Sequence, residues 1–217
     1  MFFPVILGMV FQMSATVAQG APANDRPLPS TCTYETAVWN VHSGSSSTFI
    51  RVSHAYAGVT SEERDPASGC TVCSEDQVRI SIPALRPFSL CYKVAPKVRA
   101  VLEQAVHGNE PVHAVEGYRV VKSRGPLDGY GNRTQFSNHS FGTAIDINPE
   151  QNGLYDNCTR FGPACRLIRG GHWRPGTAGT LEPGSALVQE FSRAGFRWGG
   201  EMEGRQKDFM HFSLTGY

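Results

Sequence analysis

The stretch Ser137-Asn138-His139-Ser140-Phe141-Gly142-Thr143-Ala144-Ile145-Asp146-Ile147-Asn148 decides how this chain folds and where its chemistry lies. Thr143 to Asn148 reads as a strand. Ile145 and Ile147 then point to one face, while Ala144 and Asp146 point to the other. One face suits an apolar core; the other offers a carboxylate that is costly to bury without a partner. His139 comes just before, across a turn at Gly142, and can swing to meet Asp146.

A second segment supplies the complement: Trp198-Gly199-Gly200, then Asp208-Phe209-Met210-His211-Phe212. Phe209 to Leu214 reads as a strand in which Met210, Phe212 and Leu214 share a face, leaving His211 on the opposite one. His139, Asp146 and His211 make the two-histidine, one-carboxylate set of a catalytic zinc site, with a fourth position left for water. Zinc lowers the pKa of such a water to about 7, and a general base must still take its proton. Asp208 is the candidate base. A spacing of three does not put it on the His211 face of one strand, so it is expected in the turn before that strand.

The pattern Ser-x-His-x-x-Gly-x-Ala-x-Asp followed by Asp-x-x-His resembles the VanY-like D-alanyl-D-alanine carboxypeptidases and the related L-alanyl-D-glutamate peptidases. The resemblance spans residues 95–214. It implies an α+β fold, a small, mostly antiparallel sheet flanked by helices, of the kind shared with lysostaphin-type peptidases and the hedgehog domain. It implies zinc on His139, Asp146 and His211, and the base role on Asp208, where many relatives carry the longer Glu. Glu116-Gly117-Tyr118-Arg119 resembles the family's Gly-Tyr-Arg stretch, so Arg119 is expected to hold a substrate carboxylate or carbonyl. Ser137 is expected to give substrate a hydroxyl, and Trp198-Gly199-Gly200 to shape the cleft wall. The implied substrate is a D-Ala-containing stem peptide of peptidoglycan. The alternatives are an endopeptidase of the same family and a zinc-containing cell-wall-binding domain without turnover.

Outside these motifs, 217 residues with 40% apolar composition suit one globular domain with an N-terminal elaboration. A net charge of +1 gives no sign of nucleic-acid binding. Phe2 to Met13 is almost continuously apolar and is followed by small residues, so residues 1–20 read as a signal peptide. No Lys or Arg precedes that run, which keeps an uncleaved anchor as the alternative. The expected division is thus 1–20 leader, 21–94 a disulfide-containing extension of unassigned role, and 95–217 the peptidase domain. A periplasmic or secreted monomer, with no membrane segment in its mature form, is the expectation.

Cys32, Cys70, Cys73, Cys91, Cys158 and Cys165 form an even set, as disulfides in an exported chain require. Cys158 with Cys165 is the favoured pair; Cys70-Thr-Val-Cys73 lacks the second such motif that a structural zinc needs. The sequons at Asn132, Asn138 and Asn157 read as chance matches. Strand signals fall at Val38–Val41, Thr48–Val52, Gln77–Ile82 and Val112–Val121, and residues 123–135 read as a Gly/Asn/Asp-rich loop. Helical spacing covers Val98 to Val106, between Pro96 and Gly108, and a second helix covers Ser185 to Ala194.

Overall fold

The computed structural model describes residues 26–216. The expected leader at residues 1–20 lies outside them. In chain order the elements are β1 (Thr31–Asn40), β2 (Ser45–Ala55), β3 (Gln77–Ile80), β4 (Phe88–Cys91), α1 (Ala95–His107), β5 (Val115–Glu116), β6 (Val121–Leu127) and β7 (Arg133–Phe136). There follow β8 (Ala144–Ile147), β9 (Leu154–Asp156), β10 (Arg166–Arg169), α2 (Ala186–Arg193), β11 (Arg197–Trp198), β12 (Lys207–Asp208) and β13 (His211–Ser213). The class is α+β, but the strands form several small sheets rather than one: β2-β1-β6-β7, β11-β13-β8-β5, β10-β9-β12 and the pair β3-β4. Every named pairing is antiparallel except β1 with β6.

Both helices follow their apolar spacing. α1 carries Pro96 in its first turn, where a missing N–H is harmless, and buries Val98, Val101, Leu102 and Ala105. α2 buries Leu187, Val188 and Phe191, and the Phe191 ring meets Phe212 of β13 at 4.7 Å. Phe212, Ile145 and Ile147 are fully buried, so the apolar faces expected of β8 and β13 both point into the core.

Residues 123–135 correct the loop expected from their composition. They contain most of the β6–β7 hairpin, whose register slips twice, and Gly125 and Gly131 stand at positive φ within it. Glycine and asparagine here serve bulges and a tight turn rather than a loose connection. The strand expected over Val112–Val121 is reduced to the two residues of β5 before β6 begins at Val121.

The residues before 95 share the apolar core of the rest: Cys32, Tyr34, Val72 and Leu90 belong to the same buried cluster as Val98, Ile145 and Phe212. Disulfides Cys32–Cys73 and Cys70–Cys91 fasten this part internally, and Cys158–Cys165 closes a surface loop. Cys70 and Cys73 therefore bond to different partners and form neither a zinc knuckle nor a redox pair. Among the described residues no helix is long and apolar enough to cross a membrane.

Candidate metal centre and cleft

The antiparallel register of β8 and β13 pairs His211 directly with Asp146. Both side chains thus project from one face of the sheet while Ile145 and Phe212 fill the other. His139 arrives from a 3-10 turn, Asn138–Phe141, closed by Gly142 at φ 64°. Glycine is needed there twice over: the left-handed backbone disfavours a side chain, and a Cβ would overlap Gln77 Oε1 and lie 2.5 Å from the Cys91 nitrogen.

Three donor atoms result. His139 Nε2 lies 3.1 Å from Asp146 Oδ1 and 3.2 Å from His211 Nδ1, and His211 Nδ1 lies 3.1 Å from Asp146 Oδ1. Donors around a tetrahedral zinc, at bond lengths of about 2.0–2.1 Å, stand roughly 3.3 Å apart. The triangle is close to that size and all three residues are buried.

The surrounding groups fix how each ligand presents itself. His139 Nδ1 lies 2.9 Å from the Gly117 carbonyl oxygen, an acceptor, and 3.0 Å from Arg119 Nη1, a donor; with the Nδ1 proton given to the carbonyl, Nε2 keeps its lone pair for a metal. Arg119 Nη1 approaches the same carbonyl (3.4 Å), and Nη2 donates to Asp146 Oδ2 at 2.6 Å. One carboxylate oxygen therefore answers to the guanidinium and the other to the imidazoles. Burial pushes the His139 imidazolium down to about 4, against the attraction of Asp146. Burial alone would raise the Asp146 carboxyl, but His139, with His211 and Arg119, holds it well below the usual carboxylate range. Neutral imidazole beside carboxylate is the protonation state that metal binding requires.

Asp208 does not stand in the turn expected for it. It belongs to β12 and pairs with Leu154 of β9, so a separate small sheet delivers it to the site. Its Oδ1 is buried with no hydrogen-bond partner among the described residues. Burial, helped by the negative charge of Asp146, pushes its carboxyl up to about 7, with His211 opposing. The supporting wall is aromatic: Phe209 stacks on Trp173 at 4.0 Å, Tyr155 and Phe161 meet it edge-on, and Trp198 Nε1 donates to the Phe209 carbonyl (2.8 Å). Gly199 brings the Trp198-Gly199-Gly200 chain against both Asp208 and His211.

The expected site residues thus divide. His139, Asp146 and His211 converge, Arg119 touches the first two, and Asp208 is adjacent. Ser137 is half-buried, with its Oγ 3.3 Å from Ser140 Oγ, and makes no bond to the triangle. Three further participants escaped sequence reasoning. The Gly117 carbonyl has no side chain to signal it. Glu116 and Arg169, an ion pair at 3.1 Å with Glu116 also 3.7 Å from Arg119, come from segments with no shared motif. A second acidic and imidazole group, Cys32, His54 and Glu63, offers no metal site, because Cys32 is spent in its disulfide.

Comparison with curated proteins and with solved structures gives no match. A protein-family model described as D-alanyl-D-alanine carboxypeptidase matches residues 131–214. That segment contributes all three donor atoms and Asp208, whereas Arg119 and the Gly117 carbonyl come from outside it. Residues 131–214, which build the donor triangle and set the Asp208 carboxyl beside it, are thus similar to the D-alanyl-D-alanine carboxypeptidase family.

Proposed function

We propose that this chain is a zinc-dependent metallopeptidase that hydrolyses D-Ala-containing stem peptides of peptidoglycan in the manner of a D,D-carboxypeptidase. The observation that carries the reading is Asp208: a half-buried residue whose carboxyl oxygen Oδ1 is buried without a hydrogen-bond partner among the described residues, beside three preorganised donor atoms. A structural metal site has no use for such a group, and burying it unpaired is costly. Zinc held by His139, Asp146 and His211 would polarise the scissile carbonyl and acidify a water.

The remaining steps fall to the protein. Asp208 takes the water's proton and returns it to the leaving amine, a role suited to a carboxyl poised near neutrality. Arg119 keeps Asp146 oriented and turns its free N–H groups toward the substrate carbonyl or terminal carboxylate. Ser137 supplies a hydroxyl to the peptide. Three disulfides suit an oxidising compartment, and we place the protein in the periplasm or outside the cell, with its substrate.

The test is to load the chain with zinc, incubate it with stem peptides, and follow products by mass spectrometry for wild type and Asp208→Ala. Loss of one D-alanine from the wild type, with a drop of about 10²–10⁴ in the variant at unchanged zinc content, is expected. Cleavage inside the stem would keep the chemistry and make the enzyme an endopeptidase. Bound zinc with no cleavage of any stem peptide would sink the peptidase reading and leave a binding domain.

A further inference from the structure

The β1–β2 hairpin lies outside the family-matched segment and has no part in the reaction described above. Its position gives it one. Ala37 pairs in parallel with Val121, and its N–H donates to the Val120 carbonyl at 3.3 Å. Glu35 lies two residues before Ala37 and Arg119 two before Val121, and both border one groove; the Arg119 guanidinium grips Asp146. On its other side Glu35 is the register partner of Arg51. Cys32, Tyr34 and Thr36 are buried, so the alternating residues Thr33 and Glu35 face away from the core. A groove of about 530 Å³ opens there, bordered by Thr33, Glu35, Phe49, Arg51, Tyr118 and Arg119.

Glu35 and Arg51 stand opposite each other, exposed, yet neither side chain makes a hydrogen bond or ion pair with any described residue. Phe49, two residues before Arg51 on the same strand, is 77% exposed. A lone cross-strand charge pair needs no groove, and an aromatic ring this exposed gains nothing from folding.

We propose that this groove receives the peptide upstream of the scissile bond and selects a side chain that carries both an ammonium and a carboxylate. The inference rests on the peptidase reading for the direction of the chain. Two strand spacings separate β2 from β6, so Arg51 stands about 10 Å across the sheet from the chain that leads from Arg119 into β6. An extended peptide advances about 3.3 Å per residue. The second residue before the scissile bond, with the reach of its own side chain, covers that distance. Glu35 accepts from the ammonium, Arg51 forks onto the carboxylate, and Phe49 covers the methylenes between them. A lysine in that place satisfies Glu35 and leaves Arg51 without a partner.

The experiment uses the zinc-loaded full chain and three peptides ending in D-Ala-D-Ala, in which the preceding residue is diaminopimelate, lysine or norleucine. We expect kcat/KM for the diaminopimelate peptide to exceed that for the lysine peptide at least tenfold, the difference lying in KM. Arg51→Gln brings that ratio toward one, and Glu35→Gln removes the preference for lysine over norleucine. Equal kcat/KM for all three peptides, or ratios that survive both substitutions, overturn the proposal while leaving the peptidase intact. Binding of the same peptides to the Asp208→Ala chain, by calorimetry, separates the two failures. Discrimination in Kd without any turnover by wild type supports the groove and sinks the peptidase; equal or absent binding without turnover sinks both.

Discussion

Gly199 lies so close to Asp208 that a Cβ on it would overlap the Asp208 carbonyl oxygen and come within 3.1 Å of the Asp208 Cβ. The overlapped atom is backbone, so no side-chain rotation relieves it. The same Cβ would stand 3.2 Å from the His211 Cβ, a tight approach that needs only a few tenths of an ångström to relax. Gly199→Ala should therefore displace the base more than the ligand. We expect kcat on a stem peptide to fall about 10- to 100-fold, as a misplacement near 1 Å does, with bound zinc retained. Metal analysis beside single-turnover rates checks this; an unchanged rate would show that Gly199 does not set the position of Asp208.

The raised carboxyl of Asp208 has a stability consequence in the metal-free protein. Its folded value of about 7 lies above the ordinary 3.8, so the unfolded chain gives up this proton first as pH rises. The group then costs stability progressively from about pH 4 to about pH 7 and by a constant amount above. The full cost is on the order of a few kcal/mol. Asp208→Asn removes the ionisation and keeps the shape. Urea titrations of the metal-free proteins at pH 5 and pH 7.5 should show wild type losing stability relative to the variant across that interval. A constant difference would mean the carboxyl is not perturbed.

Legibility in the sequence followed a simple physical line. The alternation around Ile145 and Ile147 and around Met210 and Phe212 declares which side of each strand is greasy, so Asp146 and His211 had to share the other side. The helices were equally plain, because Pro96 and Gly108 punctuate a clean 3.6-residue spacing. By sequence Asp208 reads as a turn residue, since its partner Leu154 lies 54 residues away and nothing local announces β12. The loop expected at 123–135 failed for the opposite reason. Gly125, Gly131 and Asn132 carry turn chemistry, and composition does not separate a loop from a hairpin with two bulges. The Glu116–Arg169 pair and the Gly117 carbonyl exist only once the chain is folded.

Glu63 predicts an acid transition of its own. Burial alone would raise its carboxyl; the Thr60 backbone N–H, the Tyr34 hydroxyl, His54 and the Thr60 hydroxyl outweigh that and bring it down to about 2. A folded value below the ordinary 4.5 means the stabilisation is complete above about pH 4.5 and fades as pH falls toward 2. Its upper bound is on the order of 3 kcal/mol. Thermal melts between pH 5 and pH 2.5 should show Glu63→Gln less stable than wild type at pH 5, with the gap narrowing steadily toward pH 2.5. Parallel curves would place the acid sensitivity elsewhere.

The disulfide Cys70–Cys91 reaches the metal centre through one hydrogen bond. Cys91 N donates to the Gly142 carbonyl at 3.0 Å, and Gly142 closes the turn that carries His139. The adjoining strand β4 also braces Gly117: the Ser89 carbonyl accepts from Tyr118 N at 2.8 Å, and no Cβ would fit at Gly117 against it. Both groups that orient His139 thus lean on the segment this bridge restrains. Cys70→Ala with Cys91→Ala should cost about 3 kcal/mol of stability, as expected for opening a loop of this length. Because the bridge supports the ligand's surroundings, zinc affinity should also weaken, by about 10- to 100-fold. Chelator competition at a temperature where the variant remains folded separates the two effects. Lower stability with wild-type zinc affinity would mean that the bridge steadies the fold alone and that the Gly142 turn holds His139 without it.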